Sequence, residues 1–169
     1  MTFMTVTKIE AAERQLRQAI RLFFDRADAV SVHTLASASY QILIDICKER
    51  GIAREMEDSE ILVEIGVKKE VIDSMRQPQN FFKHAHKGAP EETVRFSSDL
   101  ASYMMVKAAH YYHQIAGQQL EECVILLTWF YTKHPDRAPE QMQALLAKNL
   151  LDPNDFAFYA NLIKKQCSS

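Results

Sequence analysis

Apolar residues recur at helical spacing along most of the chain, and glycine or proline interrupts the pattern between the periodic stretches. Such spacing predicts α-helices. The first helix should begin after Thr7, because Thr7 and Glu10 form the T-x-x-E pattern of a capping box, and should end near 25–28. Further helices are predicted at about 31–50, 98–116, 119–133, 139–148 and 153–166, with shorter helical stretches around 59–65 and 67–76.

The residues between the periodic stretches agree with that prediction. Gly51 and Gly117 directly follow predicted helices, where glycine commonly adopts the left-handed conformation that ends a helix. Ser98 is the expected N-cap of its helix, and residues 87–97 are predicted to form a loop. No linker or internal repeat divides the chain. We therefore expect an all-α protein with a single domain over residues 1–169, built as a bundle of about seven helices.

The composition is typical of globular domains. The 169 residues are 47% hydrophobic, which is enough for a sizeable core. No stretch has the roughly 18 uncharged apolar residues of a membrane span, and the N-terminus lacks the apolar stretch of a leader peptide. We therefore expect a cytoplasmic protein that does not contact a membrane. The three cysteines form no C-x-x-C pair, so we expect Cys47 and Cys123 to be reduced and buried.

The charge distribution limits the classes of partner. A net charge of −2 excludes the strong overall basic field of proteins that hold nucleic acid non-specifically. Residues 76–87 nevertheless contain three lysines or arginines and no acid. Arg14, Arg17 and Arg21 share one face of the first helix because of their spacing. We expect this arginine stripe to be solvated surface. The alternative is that it contacts phosphates or an acidic partner.

The familiar catalytic motifs are missing from the sequence. The four glycines are too scattered for a Walker loop or a G-x-G-x-x-G phosphate cradle, and neither G-x-S-x-G nor H-E-x-x-H occurs. His110 and His113 lie on one side of a predicted helix and could share a metal ion with Glu122 or His86. Their expected place is the boundary of an amphipathic helix. We therefore predict no metal and no cofactor.

The most informative segment, NFFKHAHK, combines an amide, two lysines and two histidines with two large rings. If a helical turn begins there, Phe81 and Phe82 anchor it in the core while Asn80, Lys83 and His84 project together. A histidine beside a lysine is less readily protonated, which leaves neutral imidazole available as a general base. Asn80, Lys83 and His84 are therefore the candidate catalytic residues. In the structural alternative, Asn80 caps a helix and His84 satisfies a buried carbonyl.

Three further residues are candidates for ligand binding. His33 is predicted in the first turn of the second helix, where the helix dipole disfavours imidazolium and leaves a neutral ring. If His33 faces His84, the two enclose a polar pocket between helices. Arg76 adds a cation just before the segment, and His86 a second imidazole within it.

Three blocks in the first half of the chain resemble a group of small bacterial all-helical proteins that has no assigned function. The blocks are AIRLFF at 19–24, VSVHTL at 30–35 and NFFKHA at 80–85. More distantly, residues 79–84 resemble the Arg-polar-x-x-x-His element of HEPN domains, all-helical modules of prokaryotic defence and toxin systems. Many HEPN domains dimerise and cut RNA without a metal.

The HEPN resemblance implies a homodimer that binds or cleaves RNA. In such a site His84 would transfer a proton at a ribose 2′-hydroxyl, Asn80 would orient the substrate, and a cation would stabilise the phosphate oxyanion. Gln79 stands where the HEPN pattern has its arginine, so Arg76 or Lys83 would have to supply that cation.

Two alternatives belong to other functional classes. The first is a non-catalytic interaction module that binds a protein partner or dimerises, which the apolar content and the missing catalytic motifs favour. The second is a protein that binds a small molecule or a metal through its histidines. The histidines considered for that role are His33, His84, His86, His110 and His113.

Overall fold

A computed structural model describes residues 2–52, 77–84, 89–148 and 151–166 of the chain. Within these ranges the chain is all-α, with no β-strand, which confirms the predicted fold class. The helices are α1 (Lys8–Phe24), α2 (Ala29–Arg50), α3 (77–83), α4 (Asp99–Ala116), α5 (Glu121–Lys133), a 3₁₀ turn (Pro135–Arg137), α6 (Glu140–Lys148) and α7 (Phe156–Gln166). The helical stretches predicted around 59–65 and 67–76 lie outside the described residues.

The core forms where α1, α2, α4 and α5 meet. Helix α2 packs between α1 and α4, while α5 contacts α1, α4 and α7. The largest fully buried side chains include Trp129, Tyr111, Tyr112 and Tyr159. Cys47 and Cys123 are buried free thiols, as expected. Among the described helices, none is long and apolar enough to cross a bilayer.

Local sequence signals fix several helix ends. The capping box is present: the Thr7 hydroxyl accepts a hydrogen bond from the Glu10 amide at 3.1 Å, and the Glu10 carboxylate accepts one from the Thr7 amide at 2.8 Å. Gly51 and Gly117 end α2 and α4 in the left-handed conformation, with φ of 62° and 69°. These features confirm the predicted ends of the longest helices.

The starts of α2 and α7 and the capping of α4 differ from the prediction, and α7 begins at Phe156 and not at Pro153. Helix α2 begins at Ala29, earlier than predicted, because the Asp28 carboxylate accepts a hydrogen bond from the Ser31 amide at 2.8 Å and caps the helix. Ser98 makes no capping bond because its own backbone is already helical. The Ser97 hydroxyl instead accepts from the Asp99 amide at 3.2 Å. In both cases a short polar side chain makes the capping hydrogen bond. Asp28 lies directly before Ala29, and Ser97 lies two positions before Asp99.

An ionic network joins α1 to α5. Glu122, only 2% exposed, accepts hydrogen bonds from Arg17 and Arg21, both at 2.7 Å. Arg17 also donates to Glu13 at 3.0 Å, and Glu13 accepts from the Tyr112 hydroxyl at 2.6 Å. The expectation that the arginine stripe is merely solvated is therefore wrong for Arg17 and Arg21. The acidic partner that the alternative called for lies within the chain itself.

The network holds Glu122 ionised. Burial raises the pKa of its carboxyl, but the amide at the start of α5 and the guanidinium groups of Arg21 and Arg17 outweigh burial and lower the pKa below its usual range. Glu122 is the second residue of α5, where the positive end of the helix dipole also favours a carboxylate.

We predict that Glu122→Gln destabilises the protein by about 2 kcal/mol, because it removes the buried anion that the Arg17 and Arg21 guanidinium groups share. Since the folded pKa of Glu122 is lowered, its stabilisation is present above the ordinary carboxyl pKa and is lost as pH falls through the folded value. Urea unfolding as a function of pH measures both effects. Glu121→Gln, on the exposed neighbour in the same turn, is the matched control and should change stability little. Equal losses of stability in Glu122→Gln and Glu121→Gln would contradict the role of Glu122 in the ionic network.

Candidate functional site

Helix α3 has one inner and one outer face. Pro78 and Phe82 are four residues apart and point inward, where Pro78 is buried and Phe82 half-buried. Asn80 and Lys83 are exposed, and His84, directly after the helix, is half-buried.

The Phe82 ring attaches α3 to the rest of the protein. Its centroid lies 5.0 Å from that of Phe96 and 5.5 Å from that of His33, both in edge-to-face geometry. Phe96 and His33 also contact each other, at 5.7 Å. Three rings from α2, α3 and the segment before α4 therefore meet, a preferred arrangement for aromatic side chains.

The prediction that both phenylalanines anchor the segment is wrong for Phe81. Its side chain is 37% exposed, because successive residues of a helix are rotated by about 100° and Phe82 already occupies the inner face. The Phe81 ring touches Phe82 at 6.0 Å. We refer to Asn80, Phe81, Lys83 and His84 as the outer face of α3.

His33 lies behind this helix as a buried neutral ring. It is 0% exposed, and its Nδ1 is 3.3 Å from the Ser37 hydroxyl. Its Nε2 has no hydrogen-bond partner. Burial, and then the nearby Lys83 ammonium, lower the pKa of His33. Because α2 begins at Ala29, His33 lies beyond the first turn, so burial and not the helix dipole is the main cause of its neutrality.

The structure brings several of the candidate residues together. Asn80, Lys83 and His84 share α3 and its end, and His33 reaches the same helix through Phe82. Burial lowers the pKa of Lys83, and the nearness of this cation contributes to the lowered pKa of His33. Arg76 and His86 lie outside the described residues. The catalytic and binding roles of all these residues stay predictions.

The described residues do not assemble the alternative metal site with Glu122, and His86, the other third ligand considered, lies outside the described residues. His110 Nε2 lies 3.2 Å from the Tyr131 hydroxyl, and His113 is exposed. Both carboxylate oxygens of Glu122 are engaged by arginine, which removes the proposed third ligand. In the part of the chain that the structure describes, no three His, Cys, Asp or Glu side chains are grouped to hold a metal ion.

Sequence reasoning missed Phe96, which completes the contact around Phe82. Phe96 lies in a segment without helical periodicity, where no local signal indicates which distant residue a ring will meet. It also missed that Ser37 lies against His33. Those two residues are four apart on α2, a spacing that places side chains together and was therefore readable.

Comparison of the chain with models of known protein families, with curated proteins and with solved structures finds no match in any of the three.

We predict that wild-type stability declines as pH falls below the ordinary histidine value of 6.5 toward the lowered folded pKa of His33. In that window the unfolded chain binds a proton that the folded chain does not, which costs up to about 1.4 kcal/mol per pH unit. His33→Gln should flatten this decline in urea unfolding curves. The difference in stability between the two proteins above this pH window gives the part of the substitution's effect that does not depend on protonation of His33. If the stability of wild type and of His33→Gln fell equally with pH, the interpretation of His33 as a buried neutral ring would be contradicted.

Proposed function

We propose that this protein binds single-stranded RNA through the outer face of α3. The observation that supports the proposal most is the exposed Phe81 ring, on a helix that also exposes Asn80 and Lys83 and that Phe82 holds in place.

Each group of the outer face matches one part of a nucleotide. An unstacked base can lie on the Phe81 ring, since every base has an aromatic face. The Lys83 ammonium can pair with a phosphate of the same strand, and the Asn80 amide can both donate to and accept from a base edge. This combination of an aromatic ring, an amide and a cation is typical of single-strand recognition.

A single strand fits this face better than a duplex does. Stacking on Phe81 requires a base that has left its own stack, which loops and single strands provide at low cost. With an overall charge of −2, the protein lacks the overall basic field that favours binding along a duplex backbone. Binding should therefore involve few phosphates and depend only moderately on salt.

His84 connects this proposal to the HEPN resemblance. It directly follows α3, next to the residues that would hold the strand, and a histidine there is placed to move a proton at a 2′-hydroxyl. Gln79, at the position of the HEPN arginine, is half-buried and carries no charge. The guanidinium clamp on the phosphate is therefore absent from this position, and binding is the activity that the described residues support.

We predict that Phe81→Ala weakens binding of a fluorescently labelled oligouridine about tenfold, because the base loses its stacking surface. Fluorescence anisotropy measures the affinity. Phe158→Ala removes a ring that is exposed to nearly the same extent, 39%, on α7, and should leave the affinity unchanged. Lys83→Gln should weaken binding and reduce its salt dependence, whereas Lys48→Gln at the far end of α2 should do neither.

Three outcomes would contradict the proposal. These are no saturable binding of oligouridine, equal effects of Phe81→Ala and Phe158→Ala, and a change of oligomeric mass in Phe81→Ala without a change in RNA affinity. The last result would assign the ring to a protein interface. Incubation of RNA with wild type and His84→Ala separates cleavage from binding, because only cleavage should require the imidazole.

A further inference from the structure

A cavity of about 270 Å³ lies where the α1–α2 connection meets α4, α5 and the start of α7, and no residue of α3 lines it. Its aromatic wall consists of Phe23, Trp129 and Phe156. The ring centroids are 4.9 Å apart for Phe23 and Trp129, 5.4 Å for Phe23 and Phe156, and 5.9 Å for Trp129 and Phe156. The indole nitrogen of Trp129 donates to the Pro153 carbonyl at 2.8 Å, which fixes the ring.

Charged side chains stand at the solvent side of this cavity. Trp129 is buried and the two phenylalanines are half-buried, whereas Arg26, Lys133 and Asp99 are exposed. The Arg26 guanidinium lies 4.7 Å from the centroid of Phe156, and the Lys133 ammonium 5.3 Å from that of Trp129. Asp99 is 3.6 Å from Lys133 and is the one acid among the lining residues. Two cations and one anion leave a net positive charge at the mouth.

The backbone of Arg26 ends α1, with its amide donating to the Phe23 carbonyl at 3.1 Å and the Ala27 amide to the Leu22 carbonyl at 2.9 Å. Its φ of 52° is in the left-handed region, where it is the one non-glycine residue in the described ranges. A glycine or an asparagine would adopt this conformation at lower cost. From this position the Arg26 side chain extends over Phe156 at the cavity mouth.

We infer that this cavity binds a small aromatic monocarboxylate. An engineered cavity of about 150 Å³ in another protein accommodates benzene, so the larger volume here has room for a ring and a carboxylate. The ring would take the edge-to-face arrangement that Phe23, Trp129 and Phe156 already show among themselves. The carboxylate would accept hydrogen bonds from Arg26 and Lys133, whose charge Asp99 neutralises only in part.

The chain contains a single tryptophan, so its fluorescence reports directly on the wall of this cavity. We predict that phenylacetate changes the emission of Trp129 saturably, and that the neutral isostere phenylacetamide binds about tenfold more weakly because it lacks the charge. Lys133→Gln and Arg26→Gly should each weaken phenylacetate binding about tenfold and leave phenylacetamide binding unchanged. Arg26→Gly also relieves the left-handed backbone, so it should not unfold the protein.

Lys48→Gln is the matched control for loss of a surface cation. Lys48 lies roughly 28 Å from Ala29 along α2, and its loss should leave phenylacetate affinity as in wild type. The inference would be overturned if phenylacetate did not change the Trp129 emission in a saturable way. Equal affinity for phenylacetate and phenylacetamide would also overturn it. Unaltered phenylacetate binding by folded Lys133→Gln and Arg26→Gly, checked by circular dichroism, would overturn it as well.

Discussion

The contact of the Phe82 ring with His33 and Phe96 is the interaction on which the candidate site depends. The described part of α3 is residues 77–83, and a helical segment of this length is not stable in water without tertiary packing. Phe82 supplies that packing by joining α3 to α2 and to the segment before α4. Because Phe82 occupies the inner face, Phe81 is turned outward. The same contact that secures the helix therefore creates the exposed ring.

A separate ionic network joins helices α1, α4 and α5. Glu122 on α5 holds Arg17 and Arg21 on α1, and Glu13 extends the network to Tyr112 on α4. A buried carboxylate with two cationic partners is costly to break, since either side would then be left uncompensated. The network joins the helices that enclose the aromatic core, whereas apolar packing alone is less specific about their relative positions.

The sequence predicted the fold better than it predicted the site. Helix periodicity, the Thr7 capping box and the two helix-ending glycines are local signals, and they placed the long helices correctly. Residues 80–84 were identified by composition alone, but the roles of Phe81 and Phe82 depend on how α3 faces the bundle. The partners of Glu122 and Phe82 are distant in the chain. A single sequence does not indicate which distant residues will contact each other, because hydrophobic periodicity and helix propensity reflect only residues that are close along the chain.

We propose that the outer face of α3 contacts a nucleic acid strand. A titration of isotope-labelled protein with oligouridine, followed residue by residue in amide NMR spectra, tests this most directly. The account predicts that shifts are concentrated at residues 80–84 and at the adjoining segment around Phe96, with little change near Phe158 on α7. Shifts concentrated on other helices, or spectra that oligouridine leaves unchanged, would contradict it.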